Sequence, residues 1–423
     1  MSILTPAAPG RDDRLRNLVD VELFDGPDGR RVLISADTYP PDVNGAAYFT
    51  HRLAVGLAAR GNDVHVMCPS DFGPASEEIR DGVTVHRVRS YPIPKHPEVR
   101  LVLPGAAKAA AYRILRQVDP EVVHIQGHFP VSRACLAAAE RAGVPAVATN
   151  HFMPDNLTHH LPAPNRVRRW IATAAWKDAA RVFARADHVT TPTPLAAETF
   201  AAGGFDGDIE PVSCGIDLSR FRPRTGAAAP LRTEFGLPDR TTVLYVGRLD
   251  EEKHIDELVR AMPALRRHVD AQLVIAGIGP QREALAALAA DLGISAYVHM
   301  LGFVPDDELP RLYQAADVFG IAGVAELQSI VTLEAMSSGL PVVAADAVAL
   351  PHLVRDGYNG YLFNPGDVEG LAKRLRAILV KPGEVAAMGR ASREMAAVHD
   401  ESFSLARFEQ IYARLATPAR SLA

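Results

Sequence analysis

Cysteine is scarce: three in 423 residues, at Cys68, Cys135 and Cys214, widely separated and without a C-x-x-C spacing. That usage excludes a disulfide framework and fits a reduced, intracellular chain rather than a stapled secreted one. Long apolar runs are missing as well. No window approaches the roughly 18 consecutive apolar residues of a membrane-spanning helix. The first 30 residues carry Arg11, Asp12, Asp13, Arg14 and the polar run DGPDGRR, with no signal-peptide core. We therefore expect a cytoplasmic protein with a frayed tail over residues 1–30. Strong charge of one sign is also absent. A net charge of −5 gives no bulk attraction to nucleic acid, so any basic surface must be local. Aromatic residues make up only 6%, and both tryptophans, Trp170 and Trp176, fall in one segment.

What is present is an ordinary globular composition, 48% apolar and 22% charged, in a chain longer than one core usually organises. Short β-branched runs alternate with helical stretches: RVLISAD (31–37), DVHVMCP (63–69), TVHRV (84–88), EVVHIQG (121–127), AVATNH (146–151) and HVTTPT (188–193). The rhythm pauses in the Pro-, Gly- and Arg-rich connector 215–240 and then restarts. TVLYVG (242–247), QLVIAG (272–277), YVHMLG (297–302), ADVFGIA (316–322) and LPVVAA (340–345) read as a second set of strands. Such β-α alternation predicts doubly wound parallel sheets. We expect two Rossmann-like domains, residues 31–214 and 215–400, facing across a cleft. An amphipathic helix within 401–423 should pack back over the junction. Ligands of such sheets sit beyond the carboxyl ends of the strands, so residues just after each strand matter most.

Polar outliers fall at those places. Arg248 follows a strand and Lys253 stands near the next helix start, a ready clamp for a diphosphate. Gly277 and Gly279 give G-x-G, but Arg282 occupies the third glycine position and no acidic ribose reader follows. They read as a tight turn beside a nucleotide, not an NAD fingerprint. In AELQSIVTLEAMSSGLPVVA (325–344), Glu326 lies in a loop after a strand and Glu334 inside an apolar helix from about Ser329 to Gly339. The Glu334 side chain leans toward the helix start and hence toward the cleft. Asp206-Gly207-Asp208 matches an Asp-x-Asp metal pattern formally, but it reads as a turn before a strand, so we expect no metal site.

In order and spacing, Gly45 in PPDVNG, VVHIQGHFP, VSCGIDLSRF, GRLDEEKHID, LGFVPDDEL and E-x7-E followed by AMSSGLPVVAAD resemble one family. It is the retaining, nucleotide-sugar-dependent glycosyltransferases of family 4, with a GT-B fold. The resemblance covers nearly the whole chain. It implies that Arg248 and Lys253 neutralise the donor diphosphate, that Glu334 takes the ribose hydroxyls, and that Glu326 meets the donor sugar. It further implies donor contacts at Gly45, Gly277, Gln328, Ser329 and Ile330, the base read near Gly302 and Phe303, and the transferred sugar touched by His128, with His124 as the alternative. Where members carry Glu-x-Phe-Gly this chain has Glu326-Leu327-Gln328-Ser329, and Cys214 replaces an asparagine before Gly215.

The implied chemistry is transfer of a hexose from a UDP- or GDP-sugar by front-face displacement, without a tightly bound cofactor or metal. The acceptor belongs to the first domain. There Arg168, Arg169, Trp170 and Trp176 sit in a basic helical segment (165–188) suited to an anionic membrane surface, and His151, His159 and His160 in a polar loop. A lipid-linked acceptor at the inner membrane face is expected; an ordinary surface helix and a soluble acceptor are the alternatives. A sugar-nucleotide epimerase or hydrolase would show donor-only turnover, and a non-catalytic binder would show no transfer at all.

Overall fold

The computed structural model describes residues 29–42, 44–93, 96–154 and 164–416. Most of the expected N-terminal tail therefore lies outside the described residues.

Ten strands build the first sheet and a hairpin beside it. They are β1 (Arg31–Ser35), β2 (Asp63–Pro69), β3 (Ser76–Arg80), β4 (Val83–Val88), β5 (Tyr91–Ile93), β6 (His96–Leu101), β7 (Val122–Ile125), β8 (Ala146–Thr149), β9 (His188–Thr191) and β10 (Glu210–Pro211). The sheet order is β10-β9-β8-β7-β1-β2-β4-β3, with β5 and β6 paired separately. Every pairing in the large sheet is parallel except β3 on β4. The second sheet holds β11 (Thr241–Val246), β12 (Ala271–Ala276), β13 (Val298–Gly302), β14 (Val318–Ile321), β15 (Val342–Ala345) and β16 (Gly360–Phe363). Its order, β13-β12-β11-β14-β15-β16, is parallel throughout and reverses direction between β11 and β14. That reversal point is where an open sheet of this kind offers a crevice.

The strands are buried on both faces, which is why they read as continuous apolar runs rather than alternating ones. The central strands β12, β14 and β15 are buried along their whole length. Helices cover both faces. Those used below are α1 (Gly45–Ala59), α2 (Pro104–Val118), α3 (Pro130–Ala142), α4 (Asn165–Phe183), α5 (Pro194–Ala202), α6 (Ile255–Arg266), α7 (Ile330–Ser337) and α8 (Glu401–Ala416). Asn44 caps α1, its side chain accepting the Ala47 N–H at 2.9 Å, so the helix starts at the cleft edge.

The last helix, α8, crosses back to the first sheet. Phe408 and Tyr412 are fully buried there, each worth roughly 2–3 kcal/mol of apolar burial. The Phe408 ring lies 6.1 Å from Phe49 of α1. Where α8 passes α1, the Leu405 methyl groups pack over Gly56, a Cβ on which would meet them at 2.7 Å. Tyr412 Oη and His124 Nδ1 are 2.6 Å apart, and His124 Nε2 reaches Thr149 Oγ1 at 2.6 Å. Burial drives the His124 pKa down to about 3, so the imidazole is neutral and bridges two hydroxyls. His124 thereby pins α8 to β7 and β8.

Candidate active site

The carboxyl ends of β11, β12, β13 and β14 and the start of α7 form one wall of a cleft, and the start of α1 forms the other. The space is about 1070 Å³ and open to solvent. Arg248, Lys253, Gly277, Phe303, Glu326, Gln328, Ile330 and Glu334 all line it, with Gly45 opposite. Eight residues scattered over 87 positions of sequence are thus gathered because they follow strands or sit in the first turns of α7.

The β11 and β12 turns touch one another. Gly277 has φ +148°, and a Cβ on it would stand 1.8 Å from the Gly247 carbonyl oxygen. Only glycine permits this approach, which brings the loop bearing Arg248 beside the next strand end. Tyr245 Oη, buried under that loop, donates to the Arg248 carbonyl at 2.9 Å.

Both cations are held by carboxylates. Lys253 Nζ lies 2.7 Å from Glu326 Oε1, and both side chains are only 16% exposed. Arg248 meets Asp250 Oδ2 at 2.6 Å and Glu252 Oε1 at 3.4 Å. Glu334 has a different partner. Tyr313 Oη donates to its Oε2 at 2.7 Å. Burial raises the Glu334 carboxyl to about 7, with the Tyr313 hydrogen bond acting in the opposite direction. The first turn of α7 carries no side-chain cap, and Ile330 and Val331 there face the cleft. Its N–H groups and the positive end of the helix dipole point the same way.

Other residues singled out in the sequence lie elsewhere. His128 is 2% exposed and packs in an aromatic group, 4.3 Å from the Phe129 ring and 4.6 Å from that of Phe152. Burial pushes its pKa down to about 4, and its Nδ1 has no partner among the described residues. Ser329 is buried as the N-cap of α7, hydrogen-bonded by Thr332 Oγ1 at 2.8 Å, and neither it nor Gly302 lines the cleft. His151 packs on Phe49, with Nε2 3.0 Å from Gln126 Oε1. His159 and His160 lie outside the described residues. On α4, Trp170 is 71% exposed and Arg169 exposed beside it, with Arg168 half-buried, whereas Trp176 turns inward against Phe152 and Phe200. No cluster of three metal-ligating side chains occurs among the described residues.

Four polar lining residues escaped the sequence reading: Asn44, Tyr48, Tyr245 and Asp306. Tyr48 stands one helical turn after Gly45, a spacing that could have flagged it. Asp306 lies within LGFVPDDEL and is paired with Arg220 at 2.6 Å.

Comparison with known proteins places this arrangement in context. The profile "Glycosyl transferases group 1" matches residues 231–395, and "Glycosyltransferase Family 4" matches residues 43–220. A GDP-mannose-dependent alpha-(1-6)-phosphatidylinositol monomannoside mannosyltransferase of Mycobacterium tuberculosis is 31% identical over 379 residues, covering 86% of this chain and 93% of that protein. Alpha-monoglucosyldiacylglycerol synthase of Acholeplasma laidlawii is 28% identical, covering 83% and 89%. Among solved structures, sucrose-phosphate synthase from Thermosynechococcus elongatus superimposes with a TM-score of 0.75 at 22% identity, covering 91% of this chain and 98% of that one. These structures share the two-sheet GT-B fold.

The raised Glu334 carboxyl is directly measurable. A folded pKa raised above that of an ordinary glutamate means that this group favours the fold at low pH and loses that contribution as pH rises through about 7. Carbon-13 NMR of the glutamate carboxyls, assigned by difference with Glu334→Gln, should show a midpoint near 7. Tyr313→Phe should move it higher still. A midpoint near 4.5 would contradict the burial described.

Proposed function

The chain belongs to the group 1, family 4 glycosyltransferases, and from that premise we propose that it is a retaining mannosyltransferase. Its donor is GDP-mannose and its acceptor a hydroxyl of a phospholipid or glycolipid at a membrane surface. The observation that carries this reading is the gathering of Arg248, Lys253, Glu326 and Glu334 at one reversal point, beside the open start of α7. GDP-mannose is favoured because several relatives at 31–32% identity are named for it.

Glycosyl transfer breaks the bond from the sugar C1 to the diphosphate and forms one from C1 to the acceptor oxygen. Charge develops on the leaving diphosphate, and preorganised cations and amide dipoles there stabilise the transition state. In this reading Arg248 and Lys253 turn from their carboxylates to the diphosphate, and the α7 amides add their dipole. Glu326, released from Lys253, accepts hydrogen bonds from the sugar hydroxyls, and Glu334 accepts from the ribose diol. The acceptor attacks from the face the diphosphate leaves, and its proton passes to a diphosphate oxygen. No enzymic nucleophile is then needed. The protein's own cations carry the leaving-group charge, so turnover should persist in a chelator.

The acceptor side rests on α4, where Trp170 and Arg169 are exposed together, a pairing of aromatic and cation that suits an anionic interface. The names of relatives acting on phosphatidylinositol and diacylglycerol derivatives support a lipid acceptor.

Two measurements test the reading. With GDP-mannose and a phosphatidylinositol-containing vesicle, Glu326→Ala and Lys253→Ala should each lower turnover by about 100-fold or more while the fold persists. Wild-type-like rates in either would remove the assignment. Sedimentation with anionic vesicles at low salt should retain the protein, and Trp170→Ala with Arg169→Ala should release it. Absence of wild-type binding would end the membrane argument.

A further inference from the structure

The loop carrying Glu326 is gripped from three sides. Within its own lobe, Lys253 holds the carboxylate and Ala349 donates its N–H to the Glu326 carbonyl at 3.2 Å. From the first lobe, Thr193 at the start of α5 donates its hydroxyl to the Leu327 carbonyl at 2.9 Å, and Leu327 packs with Met153 and Ala196. The third grip is Gln328. Its Oε1 accepts the Cys214 N–H at 2.6 Å, and its Nε2 donates to Ser213 Oγ at 3.0 Å.

Ser213 and Cys214 belong to the segment joining the two sheets. Ser213 Oγ also accepts the Gly215 N–H at 3.2 Å, so its own proton is directed to His399 Nδ1, 2.9 Å away. Burial holds the His399 pKa down to about 4, which leaves that nitrogen free to accept. His399 stands just before α8, and the Ile216 N–H donates to its carbonyl at 2.8 Å. From the α1 side, Arg52 donates to the Gly215 carbonyl. One amide side chain therefore joins the Glu326 loop to the connector, to the foot of α8 and, through Gly215, to α1.

Gln328 lines the cleft yet is only 8% exposed, and both of its heteroatoms are turned to the connector. A side chain that held the sugar would present its amide to the cleft. We propose that Gln328 is a positioning residue: it fixes Glu326 and the first amides of α7 relative to the connector, and so aligns the sugar end of the donor with the acceptor lobe. This rests on reading the cleft as the donor site. The chain's two departures from its family's pattern, at 327–329 and at Cys214, meet here through the Cys214 backbone N–H. In the proposed reading base and ribose are held by Glu334 and the ends of β12 and β13, and the diphosphate chiefly by Arg248 and Lys253, to which the α7 amides add only their dipole. Losing Gln328 should therefore slow transfer without loosening the donor.

Gln328→Met preserves length and bulk while removing both hydrogen bonds, and Ser213→Ala removes one link of the chain. Hydrogen–deuterium exchange on the protein without ligand should show exchange about tenfold faster in peptides spanning 323–330 and 213–216 of Gln328→Met, with β11 and β12 as protected as in wild type. An unchanged loop, or a uniform rise across the second lobe, would overturn the proposal. With GDP-mannose, kcat should fall about tenfold or more while the donor KM stays within about twofold. A loss carried by KM would overturn it. Ser213→Ala should act in the same direction but less, and the double variant should be no worse than Gln328→Met alone. Fully additive losses would overturn it. Should wild-type protein turn over no nucleotide sugar, the proposed function falls, while the exchange measurement still decides the role of Gln328.

Discussion

The pair on which the site depends is Lys253 with Glu326, joined at 2.7 Å across 73 residues of sequence. A cleft built to bind a diphosphate must hold cations before any anion arrives, and a half-buried cation without a partner is costly. Here the cost is avoided by pairing each cation with a carboxylate of its own lobe: Lys253 with Glu326, Arg248 with Asp250 and Glu252. The same pairing ties the loop after β11 to the loop after β14, the two strands between which the sheet order reverses. Charge compensation and site geometry are thus one device. In the proposed reading a diphosphate entering the cleft replaces one anion by another, and the carboxylate it displaces is left beside the sugar.

Glu334 follows the opposite strategy. It sits one turn into an apolar helix, with a single hydroxyl as partner and no cation within its own stretch of chain. Its carboxyl is kept near the midpoint of its titration at neutral pH, able to gain or lose a proton as its surroundings change. The fold supplies the setting. The buried strands β14 and β15 fix where α7 begins, and Tyr313, fully buried beneath it, fixes which carboxylate oxygen is engaged.

Much of this was legible in the sequence because it follows from local periodicity. The parallel strands, the connector and the closing helix each carry their own pattern of apolar residues, and Arg248, Lys253 and Glu326 stand in the loops after strands, where this architecture opens a crevice. What stayed hidden has a physical reason in each instance. Strand β3, SEEIR, is an exposed antiparallel edge whose residues carry no apolar signal. The hairpin β5–β6 is likewise outside the core rhythm. His128 was placed by a motif, but its ring turns into the aromatic packing between β7 and α4, which no spacing announces. The contact of Gln328 with Cys214 spans 114 residues and depends on how the two lobes meet. Sequence showed both positions as departures; only the structure shows that they touch.

The central claim is that one nucleotide sugar is held by this constellation, with Glu334 accepting the ribose diol as a carboxylate. Calorimetry of GDP-mannose binding at pH 7, repeated in buffers of different ionisation enthalpy, tests it most directly. A carboxyl near pKa 7 that must ionise to accept those hydrogen bonds should release about half a proton at pH 7 and almost none at pH 8.5. The release should vanish in Glu334→Gln. Binding whose enthalpy is the same in every buffer at pH 7, or a release that survives Glu334→Gln, would contradict the account.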